Sequence, residues 1–155
     1  MKTIIVGLGN PILGDDGVGW KVVEEITCQL PPDVSAGIEC LSFGGIGLME
    51  HLIGYDRAII VDACISPEED LGSIIISKLD DMPNYSAFHT TSAHDTSLQN
   101  AIELGRRMGA HVPEEVIVIG IAIQAIREFG EELSPKVAEC VPQAAHIALK
   151  LLERI

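Results

Sequence analysis

The sequence is poor in positive charge, in aromatic residues and in long hydrophobic runs, and these shortages exclude whole classes of protein. Ten lysines and arginines stand against 23 aspartates and glutamates, which gives 155 residues a formal charge of −13. Because such a surface repels phosphate groups, we expect neither nucleic acid nor an anionic membrane as a partner. The longest apolar run, residues 116–123, is well short of the ~20 residues that span a bilayer.

Cysteine is also scarce, and its spacing is informative. The four cysteines are far apart, with no C-x-x-C pair. This pattern is typical of reduced thiols and not of a disulfide framework or a zinc ribbon. The first residues have neither the long apolar region nor the cleavage site of a signal peptide, so we interpret residues 3–6 as a strand and expect a cytoplasmic protein.

What the sequence does contain is a regular alternation of short apolar runs and helical periods. With 47% hydrophobic and 21% charged residues, residues 1–155 are expected to form a single globular domain. Several of the apolar runs show no polar alternation, which favours a mainly parallel, buried sheet. We therefore predict an α/β three-layer sandwich in which helices cover both faces of about five strands, with room for one antiparallel edge strand. The predicted strands are residues 3–6, 38–42, 57–62, 73–79 and 116–120.

Three polar groups fall where ligands bind in such sheets, beyond the carboxyl ends of strands. Asp15 and Asp16 follow the first strand, Asp62 ends the third, and His94 lies in a polar loop just before a helix. Two carboxylates and an imidazole form a plausible nitrogen–oxygen site for a divalent ion such as Ni²⁺, Zn²⁺ or Mn²⁺.

Each of these residues also has a structural interpretation. An aspartate after the first strand could cap the following helix, which is the favoured interpretation of Asp15. Asp62 could be an ordinary turn residue, and His89 competes with His94 for the same role. The other three histidines are expected to be solvated or structural; they are His51, His111 and His146.

Two further signals are weaker. Cys64 follows Asp62 by two residues and could be a soft metal ligand or a nucleophile, but a small buried hydrophobic residue is the favoured interpretation.

Residues 7–11, GLGNP, resemble a dinucleotide-binding loop only superficially, since position 12 is Ile and Pro11 removes a backbone donor. A dinucleotide site is therefore rejected.

Residues 7–26, GLGNPILGDDGVGWKVVEEI, resemble the N-terminal signature of the hydrogenase maturation endopeptidases. That family trims the C-terminal extension from the large subunit of nickel–iron hydrogenases. The resemblance continues in order through residues 61–63, 91–94, 120–121 and 133–137, and so covers nearly the whole chain. It implies an α/β fold and the hydrolysis of one peptide bond in a partner protein.

The resemblance also selects among the candidate residues. The family's metal-recognising positions match Asp16, Asp62 and His94, which favours Asp16 over Asp15 and His94 over His89. Asp16 keeps the charge of the Glu found in some members but is one methylene shorter. Residues 120–124, GIAIQ, depart from the pattern, because many relatives have Glu or Gln followed by Pro after the Gly-Ile pair.

By resemblance, the partner is a nickel–iron hydrogenase large-subunit precursor that already carries nickel. The three side chains would add ligands to that nickel, so that only the loaded precursor docks, and a carboxylate would activate water. A noncatalytic, nickel-dependent maturation chaperone would use the same residues and is the main alternative. A peptidyl-tRNA hydrolase also begins with GLGNP, but that family needs a Thr-Arg-His-Asn stretch and a basic surface, both lacking here.

Overall fold

A computed structural model describes residues 1–83, 97–125 and 128–154. The described part contains one five-stranded sheet and four α-helices, which confirms the α/β prediction. The strands are β1 (Thr3–Leu8), β2 (Gly37–Leu41), β3 (Arg57–Ile65), β4 (Ile74–Lys78) and β5 (Glu115–Ile123). The helices are α1 (Val18–Gln29), α2 (Gly45–Leu52), α3 (Leu98–Arg107) and α4 (Pro135–Glu153).

The order of the strands is β2-β1-β3-β5-β4. Four strands run parallel, and β4 pairs antiparallel with β5 at the edge, as the sequence allowed. From β1 the chain moves outward to β2 and then returns to the other side of β1 to form β3. The order therefore reverses between β1 and β3, which is the position where open α/β sheets bind their ligands.

Both faces of the sheet are covered, as predicted for three layers. In β1, β3 and β5, odd-numbered residues such as Ile5 and Ile59 pack against α1 and α4, while even-numbered residues such as Ile4 and Ile60 pack against α2 and α3. This alternation follows from the two-residue period of a strand. No helix in the described ranges is both long and apolar enough to cross a membrane.

Helix α1 lies unusually close to the sheet because glycines face each other at the contact. A Cβ built on Gly7 would lie 2.6 Å from the carbonyl oxygen of Gly19, and a Cβ on Gly19 would collide with the carbonyl oxygens of Leu8 and Val61. A methyl group at either position would push the helix away from β1 and β3. The glycines of the first motif thus fix the start of α1 over the point where the strand order reverses.

Two strands are longer than the sequence predicted. The strand predicted at 57–62 runs on to Ile65, and the one predicted at 116–120 runs on to Ile123, because β3 and β5 stay paired from Arg57–Glu115 to Ile65–Ile123. The pairing of β1 with β3, in contrast, ends at Gly7 and Val61. Beyond that point β3 continues without its β1 neighbour.

Candidate functional site

The connection from β1 to α1 contains a single turn of 3₁₀ helix, Gly14–Gly17. The Asp16 carboxylate in this turn accepts a hydrogen bond of 2.9 Å from the backbone N–H of Asn10. The side-chain oxygen of Asn10 in turn accepts a bond of 3.2 Å from the N–H of Ile12. These bonds fold the connection back on itself and hold Asp16 at the carboxyl end of β1.

Asp15, the neighbour of Asp16, has a structural role. Its two carboxylate oxygens accept hydrogen bonds from the backbone N–H and the hydroxyl of Ser134, at 2.7 and 2.8 Å. Ser134 immediately precedes α4, and the residue before α1 makes no side-chain cap. The structural interpretation of Asp15 is therefore confirmed. The prediction that Asp15 caps α1 is wrong, because Asp15 instead attaches the turn to the start of α4.

Asp62 lies within β3, one residue past the last pair with β1, so the prediction that it ends the strand is wrong by three residues. As an even-numbered residue of β3, Asp62 lies on the face of the sheet that α2 and α3 cover. Gly120 of β5 is its register partner, and a Cβ built there would approach nothing closer than 3.6 Å. Because Gly120 has no side chain, β5 leaves open space beside the Asp62 carboxyl.

The electrostatics of the two aspartates are coupled. Burial raises the pKa of Asp62 to about 7, and the negative charge of Asp16 acts in the same direction, while a hydrogen bond from the N–H of Ala63 opposes both. The Asp62 carboxyl therefore exchanges its proton near neutral pH, where a general base is most effective. Asp16 follows β1 and Asp62 lies in β3, the two strands that flank the reversal in strand order, and this pair is the candidate site.

Cys64 was expected to be a small buried residue, and this interpretation is wrong. Because β3 continues past Asp62, Cys64 has the same facing as Asp62 and is exposed. Its Cβ would lie 3.8 Å from a Cβ at Gly120. The four cysteines are all free thiols; the other three are Cys28, Cys40 and Cys140.

The predicted third ligand, His94, and its competitor His89 lie outside the described residues, so that assignment stays a prediction. The remaining histidines are exposed, as predicted. The ring of His51 contacts Glu39 at 2.6 Å and that of His111 contacts Asp56 at 2.8 Å. Within residues 1–83, 97–125 and 128–154, no group of three His, Cys, Asp or Glu side chains is placed to hold a metal.

Two contributions to the site were missed by the sequence reasoning. The backbone of Asn10 orients Asp16, and the absence of a side chain at Gly120 opens space beside Asp62. A glycine inside an otherwise β-branched strand is a recognisable signal of such an opening. The hydrogen bond from Asn10 had no comparable signal, since it depends on how the loop folds.

The comparisons with known proteins agree with one another. The family model of the hydrogenase maturation proteases, HycI, matches residues 43–151. The hydrogenase expression/formation protein HoxM of Azotobacter vinelandii is 29% identical, over 96% of this chain and 71% of that protein. The family match favours a maturation protease over the peptidyl-tRNA hydrolase alternative.

Solved structures show the same relationship. The hydrogenase maturating endopeptidase HybD of E. coli superimposes with a TM-score of 0.76 over 98% of this chain and 92% of that chain, at 24% identity. The [NiFe] hydrogenase maturation protease HybD of Thermococcus kodakarensis gives a TM-score of 0.66 and 27% identity over 99% of this chain and all of that chain. The first likeness supports the fold, and the family model covers well over half of the sequence. The chain therefore belongs to the hydrogenase maturation protease family and is a peptide-bond hydrolase.

Proposed function

We propose that this protein removes a C-terminal extension from the large-subunit precursor of a nickel–iron hydrogenase, and that it recognises nickel already bound to that precursor. A cytoplasmic location is part of the proposal. The observation that supports it is the electrostatic coupling of Asp16 and Asp62 beside the reversal in strand order, where the charge of Asp16 helps burial to raise the pKa of Asp62 to about 7. Family membership supports the protease chemistry.

The donor chemistry supports nickel as part of the substrate. Asp16 and Asp62 offer carboxylate oxygens, and His94 would add an imidazole nitrogen, a combination that suits borderline divalent ions. Two carboxylates and one imidazole make three ligands, one fewer than a closed tetrahedral site has, which suits a metal that arrives with ligands of its own. A precursor without nickel would then lack this contact, which gives specificity for the loaded form.

The proton chemistry assigns Asp62 as the general base. In its ionised form the Asp62 carboxylate would accept a proton from a water molecule as the water oxygen attacks the scissile carbonyl carbon. The same proton would pass to the nitrogen of the leaving amine as the C–N bond breaks. Asp16 uses one oxygen to accept the N–H of Asn10, which leaves its other oxygen for the substrate.

The test is the intact mass of a purified large-subunit precursor, with and without nickel, after incubation with this protein. Loss of one C-terminal fragment only from the nickel-loaded sample is the expected result. Asp62→Asn should leave the mass unchanged, while the matched variant Asp80→Asn, at an exposed position, should process normally. An unchanged mass in both samples, with a precursor that another maturation protease can cleave, would favour the noncatalytic chaperone.

A further inference from the structure

Asn10 ties together the loop that leads from β1 to the 3₁₀ turn. Its side-chain oxygen accepts a hydrogen bond of 3.2 Å from the N–H of Ile12, and its carbonyl oxygen accepts one of 3.1 Å from the N–H of Leu13. Its own N–H donates to the Asp16 carboxylate at 2.9 Å. An Asn side chain that accepts the N–H two residues ahead is a common way to fix a turn. One residue therefore supplies both the bonds that shape the loop and the bond that reaches Asp16.

The loop also packs directly against its surroundings. The N–H of Gly9 donates to the carbonyl of Leu41, the last residue of β2, at 3.0 Å. A Cβ built on Gly9 would collide with the carbonyl oxygen of Asp16, and a Cβ on Gly17 would lie 3.0 Å from the Cα of Pro11. The loop and the 3₁₀ turn thus meet backbone against backbone. A change in the shape of the loop must therefore move Asp16, because no flexible side chain lies between them.

The Asp16 carboxylate is only partly occupied. One of its oxygens accepts the N–H of Asn10, and within residues 1–83, 97–125 and 128–154 its other oxygen has no hydrogen bond. In the same turn, both oxygens of Asp15 are occupied by Ser134. Because the terminal torsion of an aspartate is broad, a carboxylate with neither oxygen fixed samples many orientations. The bond from Asn10 selects one of them before any substrate binds.

This selection concerns binding more than bond breaking. Ordering a side chain on association costs free energy, and a side chain that is already held in place avoids that cost. Asp62 is the proposed base, and the hydrogen bonds of Asn10 go to other residues. A looser Asp16 would keep its charge. It should therefore weaken docking of the precursor and leave the proton transfer at Asp62 nearly unchanged.

We propose that Asn10 is a positioning residue for the nickel contact. Its side chain holds the loop in the shape in which its N–H fixes one oxygen of Asp16 and directs the other oxygen to the nickel of the precursor. The inference rests on the proposed function and adds a residue that acts through Asp16. Within the described ranges only the oxygen of the Asn10 side chain takes part in a hydrogen bond, so a hydroxyl oxygen at this position can replace it in part.

The first test separates docking from chemistry. Asn10→Ala should raise KM for the nickel-loaded precursor about fivefold and leave kcat within about twofold of the wild type, because it removes the preorganisation of one side chain. Asn10→Ser keeps an acceptor for the N–H of Ile12 and should return KM to within about twofold of the wild type. The matched control Gln143→Ala removes an amide from an exposed position on α4 and should keep the wild-type KM.

A double-mutant cycle tests whether Asn10 acts through Asp16. In the Asp16→Ala background, Asn10→Ala should lower kcat/KM by less than about 1.5-fold, because no carboxylate remains to be positioned. Single-turnover processing at high enzyme concentration, followed by intact mass, gives kcat/KM for these slow variants. A general loss of loop structure would instead lower kcat/KM by the same factor in both backgrounds and would overturn the proposal.

The second test needs no substrate. Amide hydrogen exchange followed by NMR measures the protection of the N–H of residue 10, which the Asp16 carboxylate accepts in the wild type. Asn10→Ala keeps this N–H but should lower its protection about tenfold after correction for the intrinsic exchange rate, and Asp16→Ala should do the same. The N–H of Ile59, within β3, should keep its protection in both variants.

The outcomes separate this inference from the proposed function. If the wild type processes the precursor and Asn10→Ala keeps both its KM and the protection at residue 10, the positioning role is overturned and the protease function stands. If Gln143→Ala raises KM as much as Asn10→Ala does, the effect is not specific to the loop, and the positioning role is again overturned. If no variant processes the precursor, the proposed function fails, while a tenfold loss of protection at residue 10 still supports the positioning of Asp16 by Asn10.

Discussion

The two ends of β3 treat charge in opposite ways. At the amino end, Asp56 accepts hydrogen bonds from the N–H of Lys2 and from His111, and these hold the pKa of the Asp56 carboxyl below its usual value. Near the carboxyl end, burial and the charge of Asp16 raise the pKa of Asp62 to about 7. The ionised form of Asp56 therefore stabilises the fold, whereas the ionised form of Asp62, six residues later, destabilises it. Only Asp62 lies at the reversal in strand order.

Arg57 extends this contrast. It is buried at the amino end, where its guanidinium forms an ion pair with Glu115 at 2.9 Å and donates to the carbonyls of Leu151 and Arg154 at 2.6 and 3.2 Å. The charge is compensated and attaches the end of α4 to the sheet. One end of the sheet thus uses charge to hold the fold together, and the other contains the two carboxylates of the proposed site.

The largest effect is expected from substitutions in the proposed site, near the carboxyl end of β3. Asp62→Asn, Asp16→Asn and His94→Ala should each lower processing of the nickel-loaded precursor by about 10²-fold or more, because each removes a proposed ligand or base. Asp56→Asn, at the other end of β3, should process at the wild-type rate. Intact mass over a time course measures both, and wild-type processing by Asp62→Asn would contradict the assignment of the base.

The next effect is expected from a substitution at the amino end of β3. Arg57→Met should lower the free energy of unfolding by about 3 kcal/mol, because it leaves the carbonyls at the end of α4 without their donor. Lys78→Met, which removes the other and exposed partner of Glu115, should change stability by less than about 0.5 kcal/mol. Urea denaturation followed by circular dichroism gives both values. Equal losses in the two variants would show that burial at Arg57 is unimportant.

The fold was predictable where local pattern and tertiary pairing agree. The apolar runs gave five strands and the placement of Asp62 near a strand end, and the glycine motif gave the turn that contains Asp16. The end of β3 was missed because Asp62 and Cys64 interrupt the apolar run while the pairing with β5 continues. No local sequence pattern predicts that two strands stay paired. Nor does one predict the hydrogen bond that Ser134 donates to Asp15, because the two residues are 119 positions apart in the sequence.

A third effect concerns the pH dependence of stability. The folded-state pKa of Asp62 is about 7, above the value near 3.9 expected for an unfolded chain. The protonated carboxyl therefore contributes stability that is fully present below about pH 4 and is lost as pH rises through about 7. Asp62→Asn, which cannot ionise, should be more stable than the wild type by about 4 kcal/mol at pH 8 and nearly equal to it at pH 4.

That comparison needs denaturation at several pH values with a chelator present, so that no divalent ion offsets the cost of ionised Asp62. Asp56→Asn serves as the control, since the lowered pKa of Asp56 predicts the opposite sign: its ionised form stabilises the fold, and the contribution is lost only as pH falls through the acid range. A wild type that keeps constant stability from pH 4 to 8 relative to Asp62→Asn would exclude a raised pKa for Asp62.

The smallest expected effect distinguishes the two neighbouring aspartates of the 3₁₀ turn. Asp15→Ala removes the acceptor of two hydrogen bonds from Ser134 and should lower the free energy of unfolding by about 1–2 kcal/mol. Asp16→Ala removes one bond from Asn10 but also relieves repulsion of the Asp62 carboxylate, so its stability should change less. Processing should show the reverse order, because only Asp16 belongs to the proposed site. If Asp15→Ala abolished processing at a temperature where it is fully folded, the turn would use both carboxylates in catalysis, and the division between structural and chemical aspartates would fail.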